Sequence, residues 1–216
     1  MDTPQRTKLV LVRHGQTDSN ASGRFQGQQD VPLNRIGRSQ AATLADRLVR
    51  GKAAHVVSSD LLRATATAEA IAAASGLEVT TDERLREIHV GSWEGRTSVE
   101  VAAENPWFED ALHAGRDFRR SDTGETAAEA GERIATVLRE VADRYPGETT
   151  VVVGHGLALR VGLSLFLGLG LDASFALSGL WNCSWTILEH NQRWRLLSYN
   201  NVMVNHGGQP PSASSR

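Results

Sequence analysis

Two short apolar runs in this sequence each end in a histidine that is followed by a glycine. The first extends from Lys8 to Val12 and leads into Arg13 and His14, and the second, TTVVVG, leads into His155. Short runs rich in valine and leucine that stop at glycine and polar residues indicate strands buried within a sheet. The pattern therefore predicts two core strands, each of which carries a histidine into the loop at its carboxyl end.

Helical patterns separate these strands from one another and from a further strand predicted at HVVSSD. Asn34 is placed to cap the first helix, Gly76 to end the second, and Pro146 to stop a longer one. Strands that alternate with helices in this way predict parallel pairing in an α/β sheet. The predicted helices cover residues 35–50, 61–76, 126–144 and 157–168.

The remaining segments are patterned more weakly. LEVTTD predicts a short edge strand, residues 83–95 are expected to be irregular, and residues 98–125 are expected to cross one edge of the sheet with short helices at SVEVAAEN and WFEDALHA. The alternation in CSWTILEH and RWRLLSYN, joined by Asn191 and Gln192, predicts a hairpin at the sheet edge. We expect one domain over residues 1–216, with flexible tails at 1–7 and 206–216.

Composition limits the partners and the location. A net charge of −2 and a pI near 6.4 give no global electrostatic reason to expect a nucleic-acid or membrane partner. No secretory or membrane-spanning segment is readable, so the expected location is the cytoplasm. The single cysteine, Cys183, excludes an intrachain disulfide and a cysteine-based zinc site, and we expect it to be a buried residue in a strand.

The two histidine-bearing strands predict a common site. Parallel strands end at the same edge of a sheet, so His14 and His155 can converge on one cleft. Arg13 lies beside His14, and Arg63 opens the helix that follows the HVVSSD strand. Guanidinium groups match phosphate oxygens with charge-assisted hydrogen bonds, and a neutral imidazole can attack phosphorus. These residues therefore favour a phosphoryl substrate.

Five segments, taken in order, resemble the successive motifs of a known family. They are LVRHGQTDSN, RFQGQQDVPLNRIGRSQA, VVSSDLLRATATA, LREIHVGSWEG and VVVGHG. Together they resemble the histidine phosphatase superfamily, whose members include cofactor-dependent phosphoglycerate mutases and many phosphatases. The resemblance covers roughly residues 8–165. It implies a three-layer α/β/α sandwich with a mostly parallel central sheet, completed here by the C-terminal edge hairpin.

The resemblance also implies roles for individual residues. His14 is the expected phosphoryl acceptor, Glu87 the proton donor, and Arg13, Arg63 and His155 bind the transferring group, with no metal or cofactor. The substrate is then a small phosphorylated metabolite. Further residues expected to line the phosphate pocket are Asn20, Gln26, Gly27 and Gly156.

Three alternatives remain beside a phosphatase. A mutase would use the same phosphohistidine, but similar mutases carry a tyrosine-containing segment after the glutamate and an insertion with consecutive prolines. Here the segment is HVGSWEG, and residues 98–125 contain only Pro106. A non-catalytic phosphate-binding protein is expected to have lost the nucleophile or the acid. Histidines acting as metal ligands would sit beside arginines that repel a cation.

Within the phosphatases, the segments HGQTDSN, VSSDLLRA, NCSWTIL and RWRLLSYNN look most like the glucosyl-3-phosphoglycerate phosphatases. A phosphatase of broad specificity, acting on phosphoglycerates and sugar phosphates, fits nearly as well. Many similar proteins are dimers, and the edge strands and the aromatic residues of the final hairpin make a homodimer the expected assembly.

Other conspicuous residues are expected to be structural. Core or interface positions are expected for Trp93, Trp185 and Trp194. Trp181 is the exception, because it lies in a segment that similar enzymes place near the pocket. The charged run from Arg116 to Asp122 is expected to be a solvated surface, with the alternative that it rims the cleft and attracts anionic substrates. We expect structural or solvent-exposed positions for His55, His89, His113, His190 and His206.

Overall fold

The computed structural model describes residues 6–203, and their strands form one mixed sheet of six in the order β3-β2-β4-β1-β5-β6. The first four strands run parallel, and β5 and β6 form an antiparallel hairpin at one edge. This arrangement confirms the predicted sheet. The strands are β1 (Thr7–Arg13), β2 (His55–Ser58), β3 (Val79–Thr81), β4 (Thr149–Gly154), β5 (Trp185–Asn191) and β6 (Arg193–Asn201).

The N-terminal boundary differs from the prediction of a flexible tail over residues 1–7. Thr7 already pairs with β5, and the guanidinium of Arg6 lies 2.8 Å from the carboxylate of Glu189. The tail prediction is therefore wrong for residues 6 and 7, which are fixed by the sheet and by an ion pair. Residues 1–5 and the predicted tail 206–216 lie outside the described residues.

Helices cover both faces of the sheet. The α-helices are α1 (Asp18–Ala21), α2 (Arg35–Leu48), α3 (Leu62–Ser75), α4 (Ser98–Glu104), α5 (Phe108–His113), α6 (Ala127–Arg144), α7 (Gly156–Phe166) and α8 (Leu171–Ala176). The sequence patterns did not predict α1 or α8. In the part of the chain described here, no helix combines the length and the apolar character needed to span a membrane.

Alternation along β1 produces the two cores of the three-layer sandwich. Leu9 and Leu11 face one core, where α6 and α7 contribute Ile134, Leu138 and Leu159. The alternate β1 side chains, Val10 and Val12, face a second core formed with α2 and α3. Successive side chains of a strand point to opposite faces, so a fully apolar strand needs cover on both sides. The predicted α/β/α fold is confirmed.

The structure confirms the predicted start of α2 at Asn34 and the predicted end of α3 at Gly76. The side chain of Asn34 accepts a hydrogen bond of 2.9 Å from the amide of Gly37 at the start of α2. Gly76 ends α3 in the left-handed conformation, at φ 67°, where a side chain would be strained. These caps fix where α2 and α3 begin and end over the sheet.

The excursion between β3 and α6 forms a third cluster around Trp93. The ring centroids of Phe108 and Phe118 lie 5.4 and 6.2 Å from that of Trp93. Trp93 is buried, as predicted. Cys183 is also buried, but the prediction of a strand is wrong there, because the residue precedes β5 in a turn at φ 54°.

Candidate active site

The register of β1 on β4 places the two predicted histidines side by side. Arg13 pairs with Gly154, so His14 and His155 are the next residues of two neighbouring parallel strands. Their ring centroids are 5.1 Å apart. Both side chains are buried at the carboxyl edge of the sheet, where α/β folds commonly bind ligands.

The imidazole of His14 is oriented by its own loop. Its Nδ1 lies 2.7 Å from the carbonyl oxygen of Gly15. A carbonyl oxygen can only accept, so Nδ1 carries the proton and Nε2 presents a lone pair. Burial lowers the pKa of His14 well below its usual value, and the charges of Arg63 and Arg13 lower it further. His14 is therefore neutral and suited to act as a nucleophile.

The second histidine is fixed from the neighbouring strand. Nε2 of His155 lies 2.9 Å from the hydroxyl of Ser59, which follows β2. Burial first, and then the charge of Arg63, lower the pKa of His155 well below its usual value. Its Nδ1 is buried and has no hydrogen-bond partner among the described residues.

Two guanidinium groups complete this cluster. Arg13 donates from Nη1 to the carbonyl of Leu180, and Arg63 donates to the carbonyls of Gln29 and Gly27 at 2.6 and 2.7 Å. Burial lowers the pKa of Arg63 to about 10, which leaves it charged near neutral pH. The Nε atoms of both arginines are buried and unpaired within the described part of the chain. Two fixed positive charges thus flank a neutral His14.

A short network joins the next three predicted residues to this loop. Thr17 caps α1, and its hydroxyl donates to the side-chain oxygen of Gln26 at 2.9 Å. The amide of Asn182 donates both to the carbonyl of His14, at 3.1 Å, and to the side-chain oxygen of Asn20, at 3.2 Å. Gly27, at φ 52°, brings its carbonyl to Arg63. Asn20, Gln26 and Gly27 are therefore tied to the cluster, and Asn182 was missed by the sequence reasoning.

Glu87 lies at the N-terminus of α7. Its carboxylate accepts hydrogen bonds from the amides of Leu157, at 3.2 Å, and Ala158, at 2.9 Å. Gly156, which opens this helix, lies against Arg13, since a Cβ built there would be 3.3 Å from Nε of Arg13. The negative charge of Glu87 raises the pKa of Arg13 and Arg63, opposing the effect of their burial. Glu87 and Gly156 thus belong to the same charged cluster.

The backbone that carries Glu87 is held by Arg133 of α6, a residue that sequence reasoning missed. Its guanidinium donates to the carbonyls of Arg84 and Glu87, at 2.7 and 2.9 Å, and pairs with Glu125 at 2.8 Å. A third bond, of 2.5 Å, goes to the carbonyl of Arg86. Backbone carbonyls have no sequence signature, so no local pattern could have indicated this role.

The charged run from Arg116 to Asp122 is not uniformly solvated, and the prediction of a solvated surface is wrong at Arg120. That residue is 7% exposed, because its guanidinium pairs with Asp117 at 2.9 Å and stacks on the ring of Phe118. Arg116 and Arg119 are exposed, as expected. Among the histidines expected to be structural or solvent-exposed, His113 is exposed and His55 stacks on Tyr145, and both agree with that prediction. His206 lies outside the described residues.

Nothing in residues 6–203 groups three or more histidine, cysteine, aspartate or glutamate side chains closely enough to hold a metal ion. The cluster around His14 instead contains two guanidinium groups, of Arg13 and Arg63, and one carboxylate, of Glu87. Such an arrangement suits an anion with several oxygens, and above all a phosphoryl group.

Comparison with known proteins agrees with this geometry. The Histidine phosphatase superfamily (branch 1) matches residues 9–202. The chain belongs to this family and is an enzyme of the histidine phosphatase class.

Individual relatives carry several names. A glucosyl-3-phosphoglycerate phosphatase from Mycolicibacterium vanbaalenii is 36% identical over 198 residues, covering 86% of this chain and 85% of that protein. A probable phosphoglycerate mutase from Serratia proteamaculans is 37% identical, covering 86% of each chain. Among solved structures, a phosphoserine phosphatase from Entamoeba histolytica in complex with 3-phosphoglyceric acid has a TM-score of 0.81 at 30% identity, covering 91% of this chain and 98% of that chain.

Proposed function

We propose that this enzyme hydrolyses small phosphate monoesters, of the phosphoglycerate or sugar phosphate type, through a phosphohistidine on His14. One observation carries the proposal. The Nε2 lone pair of a neutral, buried His14 lies in a cluster with three buried nitrogens that have no partner among the described residues, namely Nε of Arg13, Nε of Arg63 and Nδ1 of His155. Buried polar nitrogens normally have a partner, and the two guanidinium Nε–H groups can only donate, so this cluster favours an anionic ligand.

The first half-reaction transfers the phosphoryl group to the enzyme. Nε2 of His14 attacks phosphorus in line with the ester bond, and the N–P bond forms as the P–O bond breaks. Glu87 enters this step protonated, gives its proton to the leaving oxygen and becomes a carboxylate. Arg13, Arg63 and His155 stabilise the charge spread over the three remaining oxygens. Asn20, Gln26, Gly27 and Gly156 shape the wall of this pocket in the proposal.

The second half-reaction returns the enzyme to its starting state. Water attacks the phosphorus of phosphohistidine, Glu87 accepts a proton from that water, and the N–P bond breaks to release inorganic phosphate. One carboxyl therefore acts as acid in the first step and as base in the second. Its anchoring by the amides of Leu157 and Ala158 keeps it at the same place for both.

The names of the relatives support a phosphoglycerate-type substrate. One relative is named for glucosyl-3-phosphoglycerate, and the phosphoserine phosphatase structure contains 3-phosphoglyceric acid. We propose glucosyl-3-phosphoglycerate and 3-phosphoglycerate as the first two substrates to compare. A strong preference for the former would favour narrow specificity, and comparable rates a broad phosphatase.

A phosphoglycerate mutase is the second candidate, because a relative of that name is 37% identical over 185 residues. Both activities would use the same phosphohistidine and differ in whether a sugar-acid hydroxyl or water accepts the phosphoryl group. The segment HVGSWEG after Glu87 and the single proline in residues 98–125 argue against the mutase.

The direct test measures inorganic phosphate released from p-nitrophenyl phosphate, 3-phosphoglycerate and glucosyl-3-phosphoglycerate in the presence of a chelator. We expect release by the wild type, loss of release in His14→Ala, and wild-type rates in the matched control His113→Ala, whose side chain is exposed. Conversion of 3-phosphoglycerate to 2-phosphoglycerate without phosphate release would favour the mutase. Phosphate release that persists in His14→Ala would refute the mechanism.

Three expectations from the sequence stay predictions within this proposal. They are a single domain over the chain, a cytoplasmic location and a homodimer. Sedimentation at several protein concentrations tests the last of these, and a mass equal to one chain throughout would contradict it.

A further inference from the structure

Ser59, His155 and His14 form a row across three neighbouring strand ends. In the sheet, β4 lies between β2 and β1, and each of these residues is the first to follow its strand. The amide of Ser59 donates to the carbonyl of Val153, at 2.9 Å, so its position is set by the pairing of β2 with β4. The row therefore places one hydroxyl and two imidazoles along the carboxyl edge of the sheet.

Ser59 takes no part in the chemistry proposed above, although it is fully buried beside that chemistry. Its hydroxyl oxygen has two partners in the described part of the chain. The backbone N–H of Leu61 donates to it at 3.4 Å, and Nε2 of His155 lies 2.9 Å from it. The hydroxyl therefore links a fixed backbone donor to a ring nitrogen of His155.

The partners of this hydroxyl indicate the direction of its bond to His155. A backbone N–H can only donate, so Leu61 occupies a lone pair of the Ser59 oxygen and leaves the hydroxyl hydrogen free. Among the described residues, Nε2 of His155 is the one acceptor within hydrogen-bond distance of that hydroxyl. A buried hydroxyl hydrogen without a partner is unfavourable, so Ser59 donates and Nε2 accepts.

The tautomer of His155 follows from this direction. Burial lowers the pKa of His155 well below its usual value, so the ring is neutral and carries one hydrogen. If Nε2 accepts, that hydrogen is on Nδ1, which is buried and has no partner among the described residues. His155 thus presents an N–H group at its unpaired nitrogen.

The neighbouring His14 presents the opposite kind of group. Its Nδ1 donates to the carbonyl of Gly15, so its free nitrogen, Nε2, carries a lone pair. The two ring centroids are 5.1 Å apart, and the pair therefore offers one nucleophile and one uncharged donor. In the other tautomer, His155 would present a lone pair to phosphoryl oxygens, which can only accept.

We propose that Ser59 is a positioning residue for phosphoryl transfer: its hydroxyl holds His155 as the Nδ1–H tautomer, so that a neutral imidazole donates to a phosphoryl oxygen. This inference rests on the proposed phosphatase function and adds to it the group that makes His155 a donor. Ser59 itself does not touch the substrate. The positive charge is left to Arg13 and Arg63, and His155 adds a hydrogen bond.

The direct test reads the ring nitrogens of His155 by NMR in the full-length wild type, labelled with isotope-enriched histidine. Protonated and unprotonated ring nitrogens differ in chemical shift, and the signals of His155 are those missing from His155→Gln. Near neutral pH we expect a protonated Nδ1 and an unprotonated Nε2 in the wild type. In Ser59→Ala we expect the form with the hydrogen on Nε2 to appear.

Kinetics test the consequence for catalysis. We expect Ser59→Ala to lower kcat/KM for p-nitrophenyl phosphate by about 10- to 100-fold, somewhat less than the loss of a whole donor to the transition state. Ser59→Thr, which keeps a hydroxyl, should recover most of this loss. Ser58→Ala is the matched control, because Ser58 is the adjacent buried serine and its hydroxyl donates to the carbonyl of Ser59, at 2.8 Å. It should keep the wild-type kinetics and tautomer.

Failure of the inference and failure of the proposed function give different results. A wild type that releases phosphate but carries the hydrogen on Nε2 of His155 overturns the inference alone, and this result needs no variant of Ser59 to fold. Wild-type kcat/KM in Ser59→Ala, or an equal loss in Ser58→Ala, also overturns it. A wild type that releases no phosphate from p-nitrophenyl phosphate or 3-phosphoglycerate overturns the phosphatase function and, with it, the role of Ser59.

Discussion

Replacing Glu87 by glutamine separates the two steps assigned to this carboxyl. The substitution preserves shape, and the amide oxygen can still accept the 2.9 Å bond from Ala158. The new NH₂ group then faces the backbone N–H of Leu157, and this N–H loses its hydrogen-bond acceptor. Loss of one charge-assisted bond costs about 1–2 kcal/mol of unfolding free energy, or a Tm decrease of roughly 2–8 °C. Glu87→Gln should therefore fold.

The effect on catalysis depends on the leaving group. General acid catalysis contributes about 100- to 10,000-fold, so kcat/KM for 3-phosphoglycerate, whose alkoxide needs a proton, should fall by that factor in Glu87→Gln. p-Nitrophenolate departs readily as an anion, so the first step with p-nitrophenyl phosphate should be affected much less. Attack by water still needs the base, and phosphoenzyme should accumulate.

Stopped-flow mixing of Glu87→Gln with p-nitrophenyl phosphate measures this directly. We expect a burst of about one p-nitrophenolate per active site, followed by slow turnover. A burst of this size arises when a covalent intermediate forms quickly and breaks down slowly. Glu109→Gln, at an exposed position in α5, is the matched control and should show wild-type kinetics. Equal losses on both substrates without a burst, or unchanged turnover of 3-phosphoglycerate, would refute the role of Glu87.

Two further predictions follow from the contacts of the site. Arg133→Met removes the bonds to the carbonyls of Arg84, Arg86 and Glu87. We expect kcat to fall at least tenfold with little change in KM, and to recover partly in Arg133→Lys. The exposed control Arg139→Met should leave both constants unchanged, and a change in KM alone would contradict a positioning role. Because the pKa of His14 is lowered in the folded protein, this histidine takes up a proton below about pH 6.5 only when the chain is unfolded. The free energy of unfolding of the wild type should therefore fall relative to that of His14→Ala by about 1.4 kcal/mol per pH unit below that value. If the two proteins lose stability in parallel from pH 7 to 5, the folded histidine titrates normally and the prediction is wrong.

The sequence predicted the centre of the site because that centre is built from strand ends. Apolar strands have a strong local pattern, and neighbouring parallel strands end at one edge, so His14 and His155 could be placed together without a structure. The cap at Asn34 and the stop at Gly76 were likewise local signals, and both hold. The roles of these residues in catalysis stay predictions until they are tested.

The contacts of Arg120 and Arg133 could not be predicted in the same way. Arg120 was expected in a solvated run, with a cleft rim as the alternative, because its neighbours in sequence are polar, yet it is buried against Asp117 and the ring of Phe118. Arg133 looks like a surface residue of an amphipathic helix, and its partners are carbonyls more than 40 residues earlier. Contacts of this kind depend on how distant segments pack, which residue patterns do not encode locally.

The most direct test of the account is to locate the phosphoryl group on the enzyme. The wild type and Glu87→Gln are mixed with p-nitrophenyl phosphate, quenched in alkali, which preserves phosphohistidine, and digested for mass spectrometry. We predict phosphorylation on the peptide that carries His14, with the larger amount in Glu87→Gln. Phosphate on the peptide that carries His155, or turnover by an enzyme that never becomes phosphorylated, would contradict the central claim.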